Sequence, residues 1–261
     1  MHCKKPRLCC LFIVFASLLP IEALAAGGVI EGTVVFTGKP RRNPLINMGA
    51  DPNCLSINAG QKTVQEYVVL HPDKSVGNVF VHVTGDVPSS GSPPAEPLVI
   101  DQQGCTYHPR VAGAMTGQVL TIKNNDETLH NIHTQSESGN SFNVGQPKAG
   151  MEYKHTLRGQ EFMLRLKCDV HDWMQGYVGV KSHPYFAVSG EGGKFRIEDV
   201  PAGTYTLQAW QEKLGTLDQE VVVEEGETAT VEFAYGEPGS ATSATLAPSL
   251  PVRDLVVPAP R

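Results

Sequence analysis

Cys168, His171 and Met174 follow one another at intervals of three residues. A thiol, an imidazole and a thioether are soft or borderline metal ligands, and the metal this combination indicates is copper. A copper centre built from two imidazoles and one thiolate in a trigonal plane, with a long axial methionine, would take three of its four ligands from this loop. The second imidazole must come from elsewhere in the chain. Upstream, in Asn124-Asn125-Asp126-Glu127-Thr128-Leu129-His130-Asn131-Ile132, His130 follows a polar turn directly after the strand-like run 119–123. Zinc is the alternative metal. Cys and His suit it, but thioether is a poor zinc ligand and structural zinc sites are generally closed by four Cys or His.

The flanking periodicity must present these groups. Phe162, Leu164, Leu166 and Cys168 fall on one face of an alternating strand, with Met163, Arg165 and Lys167 on the other, so Cys168 is expected to point inward. On extended backbone His130 and Ile132 share a face and His133 points the opposite way. His133 is therefore read as a rim residue, or as a substitute ligand if loop geometry reverses the faces. Taken singly, a buried cysteine, methionine or histidine is ordinary core, and only their joint order carries the metal reading. Trp173 is read as core packing, with a docking or electron-transfer group beside the metal as the alternative. Tyr107, His108, His155 and His183 are read as structural.

The asparagine-rich turn, the His130-Asn131 pair and the late cysteine, histidine and methionine resemble the cupredoxins, the plastocyanin-like electron carriers. The resemblance implies an all-β, cupredoxin-type antiparallel sandwich and one type 1 copper ion held by His130, Cys168, His171 and Met174. It also implies that Asn131 joins the two ligand loops by hydrogen bonds. Only Asp172 and Trp173 separate His171 from Met174, fewer residues than in plastocyanin, which leaves Met174 at an unusual axial distance or its place open to another group. The same spacing resembles the end of the binuclear copper loop of cytochrome oxidase. That site needs a second cysteine in the loop, and none is present, so one copper is expected.

Residues 1–25 read as an export signal: Lys4, Lys5 and Arg7, the apolar stretch 8–19, then Ala23-Leu24-Ala25. Cys3, Cys9 and Cys10 go with the signal. A Cys54–Cys105 disulfide in an oxidising compartment would leave Cys168 as the free thiol that a copper thiolate requires, the alternative being two separate buried thiols. Without the signal the chain keeps 18 Lys and Arg against 26 Asp and Glu, and its formal charge moves from −6 to −8. Nucleic acid is excluded as a partner by the lack of a basic cluster. No later segment is expected to span a membrane.

Residues 28–182, with alternating runs such as Val79, Val81 and Val83, are assigned to the copper domain, and the proline-rich 87–97 to a surface loop within it. Residues 183–235 alternate cleanly and, around Val200-Pro201-Ala202-Gly203-Thr204-Tyr205, resemble the carboxypeptidase regulatory-like, transthyretin-like module, expected to pack on the first unit because it is too small for a core of its own. The tail 236–261, rich in Pro, Ala and Ser, is read as disordered. With Cys-Asp-Val-His-x-Trp-Met and His-Pro-Tyr-Phe, the whole resembles bacterial plastocyanin-like proteins often labelled methylamine utilisation proteins. That resemblance implies a periplasmic or secreted, non-enzymatic carrier of single electrons between redox partners such as c-type cytochromes or a dehydrogenase. Two other readings stay open: a copper carrier or sensor, and a cell-envelope binding module with a vestigial metal site.

Overall fold

Runs of alternating apolar residues, interrupted by glycine, proline and asparagine, form strands over most of the chain. The structure, a computed structural model, describes residues 27–39, 42–59, 61–85, 87–88 and 91–236. The expected export signal, and all but Gly236 of the expected tail, lie outside these residues. Among the described residues the helices are the single short Pro52–Ile57 and two 3-10 turns, so the fold is all-β as expected.

Two β-sandwiches are stacked. In the first, a five-stranded sheet runs in the order Phe142–Gln146, His130–Thr134, Glu161–Lys167, Gln175–Lys181, Val111–Met115. It faces a four-stranded sheet ordered Met151–Thr156, Val119–Asn124, Leu98–Gln103, Thr106–His108. Between them Ile100, Leu120, Ile122, Ile132, Leu164, Leu166 and Val178 form one apolar cluster that also includes Cys168 and Met174. Most pairs are antiparallel, but Gln175–Lys181 runs parallel to Val111–Met115, and Leu98–Gln103 parallel to Val119–Asn124.

The second sandwich corrects the linear boundary at 182/183. Gly28–Phe36 is the central strand of a sheet with Lys194–Val200 and Thr228–Tyr235, and Phe80–Thr84 pairs with Gly203–Gln211 in a sheet that also holds Phe186–Val188 and Gly215–Val223. The cluster inside this sandwich combines Ile30, Val34, Val81 and Val83 with Leu207, Val221, Phe233 and Tyr235. Roughly 50 residues bury too little apolar surface to stand alone, and the N-terminal strands complete the core. Alternation shows that 28–36 and 79–83 are strands; it does not say which sheet they join.

Val79, Phe80, Val81, His82 and Val83 are all buried, because the sheet that holds Phe80–Thr84 is covered on both faces. Its outer face lies against the five-stranded sheet of the first sandwich. A Cβ on Gly179 would stand 2.4 Å from the Phe80 ring and one on Gly113 2.4 Å from Phe186, so glycine is what lets the two sheets approach. Alternation places Phe162 in the first core, yet it is 47% exposed. A bulge between Glu161 and Leu164 inserts one residue opposite Val178 and Val180 and reverses the alternation before it. Phe162 instead meets Trp210 edge-on and lies near Lys181 at the seam.

Candidate metal centre

The strand Glu161–Lys167 delivers Cys168 to the sandwich core, and the chain turns back at once. Met174 N–H donates to the His171 carbonyl at 3.0 Å and Cys168 N–H to the Met174 carbonyl at 3.2 Å, closing a tight 168–174 loop. His130 opens its strand after a turn held from within: Asn124 Nδ2 donates to the Thr128 carbonyl and Asn124 Oδ1 accepts from Asp126 N–H. Asn131 joins the two loops as the resemblance implied. Its N–H points to Cys168 Sγ at 3.4 Å, and its Oδ1 accepts from Asp169 N–H.

The imidazoles of His130 and His171 meet through their Nδ1 atoms, 3.1 Å apart, with Cys168 Sγ 3.8 Å from His171 Nδ1. One atom from each of the three residues lies within 4.8 Å of the other two, and all three side chains are buried. Met174 is buried in the apolar cluster that also holds Cys168. His133 is not brought to the group; it lies at the rim, bonded to Asp169 and near Asn143. His108, His155 and His183 sit in contacts with Thr106, Phe142 and Tyr185 away from it, while the Tyr107 hydroxyl donates to the Asn131 carbonyl. Trp173 packs on the His171 ring at 4.9 Å between centroids and donates its indole N–H to the Cys105 carbonyl.

Two carboxylates outside the expected ligand set complete the centre. Asp126 accepts at 2.8 Å from His130 Nε2, and Asp51 at 2.8 Å from His171 Nε2. Asp126 is fixed by the N–H groups of Gly104 and Cys105. Asp51 is the N-cap of Pro52–Ile57, its Oδ1 accepting from Asn53 and Cys54 N–H while its Oδ2 holds the histidine. The helix is stapled to the first sandwich by the expected Cys54–Cys105 disulfide, and Cys168 is the free cysteine among the described residues. Two further groupings, Asp51 with Cys54 and His171, and Cys105 with Asp126 and His130, include a disulfide sulfur each. Asp126 had a readable signal in its place four residues before His130, whereas Asp51 lies 120 residues from His171 and only the fold brings them together.

Charge and hydrogen bonding act together on the ionisable groups. Burial alone would raise the Cys168 thiol, but hydrogen bonds from His130, His171 and the N–H groups of Asn131 and His171 outweigh it and bring it down to about 6. Burial works against charge on both imidazoles. Asp126 and Cys168 reverse this for His130, and Cys168 and Asp51 for His171, so both are raised. The His171 contact lowers Asp51. Burial opposes ionisation of Asp126, but His130 and two backbone N–H groups hold it below the ordinary carboxylate range.

These residues fit a cation. With each Nε2–H given to a carboxylate, both Nδ1 atoms converge as acceptors beside a sulfur that ionises readily, an arrangement that repels itself unless a positive charge lies between. Two nitrogens about 2.0 Å from one ion at near-trigonal angles stand roughly 3.5 Å apart, close to the spacing observed.

The family model that matches covers residues 160–231 and is described as Polysaccharide lyase family 4, domain II. It takes the place of the carboxypeptidase regulatory-like module that the sequence resemblance indicated. No curated protein matches. Among solved structures the chain is similar to a purple cupredoxin from Nitrosopumilus maritimus, 22% identical over 32% of this chain and 98% of that one, TM-score 0.28. It is also similar to the Cu(I) form of a point mutant of amicyanin, 23% identical over 38% and 98%, TM-score 0.29. A third is the copper-containing nitrite reductase of Thermus scotoductus SA-01, 19% identical over 37% of this chain and 27% of that one, TM-score 0.29. What the centre can do follows from its own residues.

Proposed function

We propose that the protein binds one copper ion through His130, Cys168 and His171, with the buried Met174 as the fourth donor, and passes single electrons between redox partners without transforming a substrate. The observation that carries this reading is the buried convergence of the His130 and His171 imidazoles, Nδ1 toward Nδ1, beside the free thiol of Cys168. Bound copper would supply a one-electron couple. Cys168 would contribute a strongly coupled thiolate, His130 and His171 the two imidazole nitrogens, and Met174 a weak thioether donor that would tune the potential.

The protein's own part is to hold these donors still. Asn131 and the backbone bonds of the 168–174 loop fix the thiolate; Asp51 and Asp126 fix the rings. A donor set that does not rearrange has little to reorganise when the charge changes. The disulfide accords with export to an oxidising compartment, periplasmic or extracellular, and no helix among the described residues is long and apolar enough to cross a membrane. The partners proposed are redox proteins such as c-type cytochromes or a dehydrogenase.

The test is visible absorption and electron paramagnetic resonance of the Cu(II)-loaded protein beside Cys168→Ser. An intense thiolate-to-copper band that the variant loses supports the reading, and a fully metallated wild type without that band rejects it. Copper that binds but exchanges freely, with no electron uptake from a reduced cytochrome, would assign the protein instead as a carrier or sensor.

A further inference from the structure

We propose that Asp51 is a positioning residue for His171, carried to the metal centre by a disulfide-tethered lid, and that its negative charge biases the centre toward Cu(II). The inference deepens the copper reading and rests on it for the oxidation-state bias alone. The segment 48–57 is folded down onto the first sandwich at several points. Cys54 is bonded to Cys105, Asn53 Nδ2 donates to Thr128 in the turn before His130, and Asn58 Nδ2 donates to the Gly104 carbonyl. Gln65, just beyond, donates to the Trp173 carbonyl in the ligand loop.

Asp51 is thus no loose surface acid. One oxygen is spent on two backbone N–H groups of its own helix, which aims the other at His171 Nε2, and the side chain is 20% exposed. The ring beneath it is 1% exposed, so the lid closes the Nε2 side of His171 and leaves the contact with Trp173 on its flank.

Two consequences follow. Accepting from Nε2–H selects the tautomer whose Nδ1 is a free acceptor facing Cys168 and His130, and makes that nitrogen a better donor to a divalent ion. The one-electron reduction, with the electron supplied by the redox partner, adds negative charge to a centre that already holds the Cys168 thiolate and the carboxylates of Asp51 and Asp126. Coulomb repulsion in a partly desolvated setting disfavours that step. No proton need leave or enter, because the Nε2–H stays on His171.

Asp51→Asn separates the lid from the charged acceptor. Asparagine caps a helix about as well as aspartate, but its single oxygen is then used on the Asn53 and Cys54 N–H groups and its Nδ2 faces His171 Nε2 as a donor, so the charged acceptor is lost while the lid persists. Asp51→Ala removes both. In the copper-loaded protein, Asp51→Asn is expected to raise the Cu(I) to Cu(II) ratio at a fixed potential about tenfold, a midpoint about 59 mV higher, with the Cu(II) spectrum retained. Both variants are expected to weaken Cu(II) binding about 10- to 100-fold, since neither accepts from His171 Nε2–H.

Nitrogen-15 NMR of the metal-free protein at pH 9, where neutral rings report their tautomer, is expected to show His171 as Nε2–H in the wild type, shifted toward Nδ1–H in Asp51→Asn, and as a mixture in Asp51→Ala. An Nδ1–H His171 in the metal-free wild type overturns the positioning role. An unchanged midpoint in Asp51→Asn overturns the charge bias. A wild type without the thiolate-to-copper band rejects the copper reading and the bias with it, while the NMR result still decides the positioning role.

Discussion

Arg110 and Glu212 close an ion pair across the seam between the two sandwiches. Nη2 lies 2.9 and 3.0 Å from the two carboxylate oxygens and Nε 3.1 Å from one of them, with side chains only 8% and 3% exposed. The guanidinium also donates to the Gln175 carbonyl and lies over the Tyr67 ring. Removing one partner leaves the other charged and desolvated, so Glu212→Ala is expected to cost about 3–5 kcal/mol in urea unfolding, and Arg110→Met with Glu212→Leu together far less. A double variant as damaged as the single one would show that the pair itself, rather than the stranded charge, holds the seam.

The same seam depends on two glycines. An alanine Cβ at Gly179 would meet the Phe80 ring in a contact too short to exist unless something shifts. Gly179→Ala is therefore expected to destabilise the protein by about 1–3 kcal/mol. Phe80→Leu in the same chain should recover part of that loss, giving a coupling energy on the order of 1 kcal/mol in a double-mutant cycle. Strict additivity of the two changes would mean that the sheets can part without cost.

In the proposed copper site Asn131 would act on the metal only through the loops it joins. Its side chain accepts from Asp169 N–H and donates to Asn143, while its own N–H reaches the Cys168 sulfur. Asn131→Ala keeps the N–H and loses the side-chain tie, so copper affinity is expected to fall about 10- to 100-fold. Competition against a chromogenic Cu(I) chelator measures it, and an affinity equal to wild type would make Asn131 a bystander.

How far the sequence leads can be judged residue by residue. His130 and Cys168 are legible because each adjoins an alternating strand whose periodicity gives the side it faces, and His171 by its place in the short loop that follows Cys168. The Cys54–Cys105 pairing follows from counting thiols in an exported chain. Asp51 is not legible, since its role exists only once the disulfide has brought its helix to His171. Phe162 defeats the pattern because one inserted residue in the strand inverts the face of everything before it, and a bulge leaves no mark in a pattern of period two. The assignment of 28–36 to the first domain fails for a related reason: alternation reports burial of one face, and the partner strands lie some 160 to 200 residues away.

His82 sets an acid limit on the fold that is independent of the metal. Burial, and then the nearby Lys181 charge, hold its imidazole down to about 4, although the ring also bonds the Val83 carbonyl. Lys181, over the rings of Phe80 and Phe162, is itself brought down to about 8 by burial. An unfolded histidine titrates near 6.5. Between pH 6.5 and 4 the unfolded chain therefore binds a proton at this position that the folded chain does not, and stability falls as pH falls through that window. The loss reaches about 3 kcal/mol once pH is below 4. The raised imidazoles of His130 and His171 act in the opposite sense in the metal-free protein, but they are common to wild type and variant. The difference in unfolding free energy between wild type and His82→Gln, followed from pH 7 to pH 4.5, is thus expected to move steadily in the variant's favour. A difference that stays flat over that range would mean that His82 is protonated in the folded protein and that the seam accepts its charge.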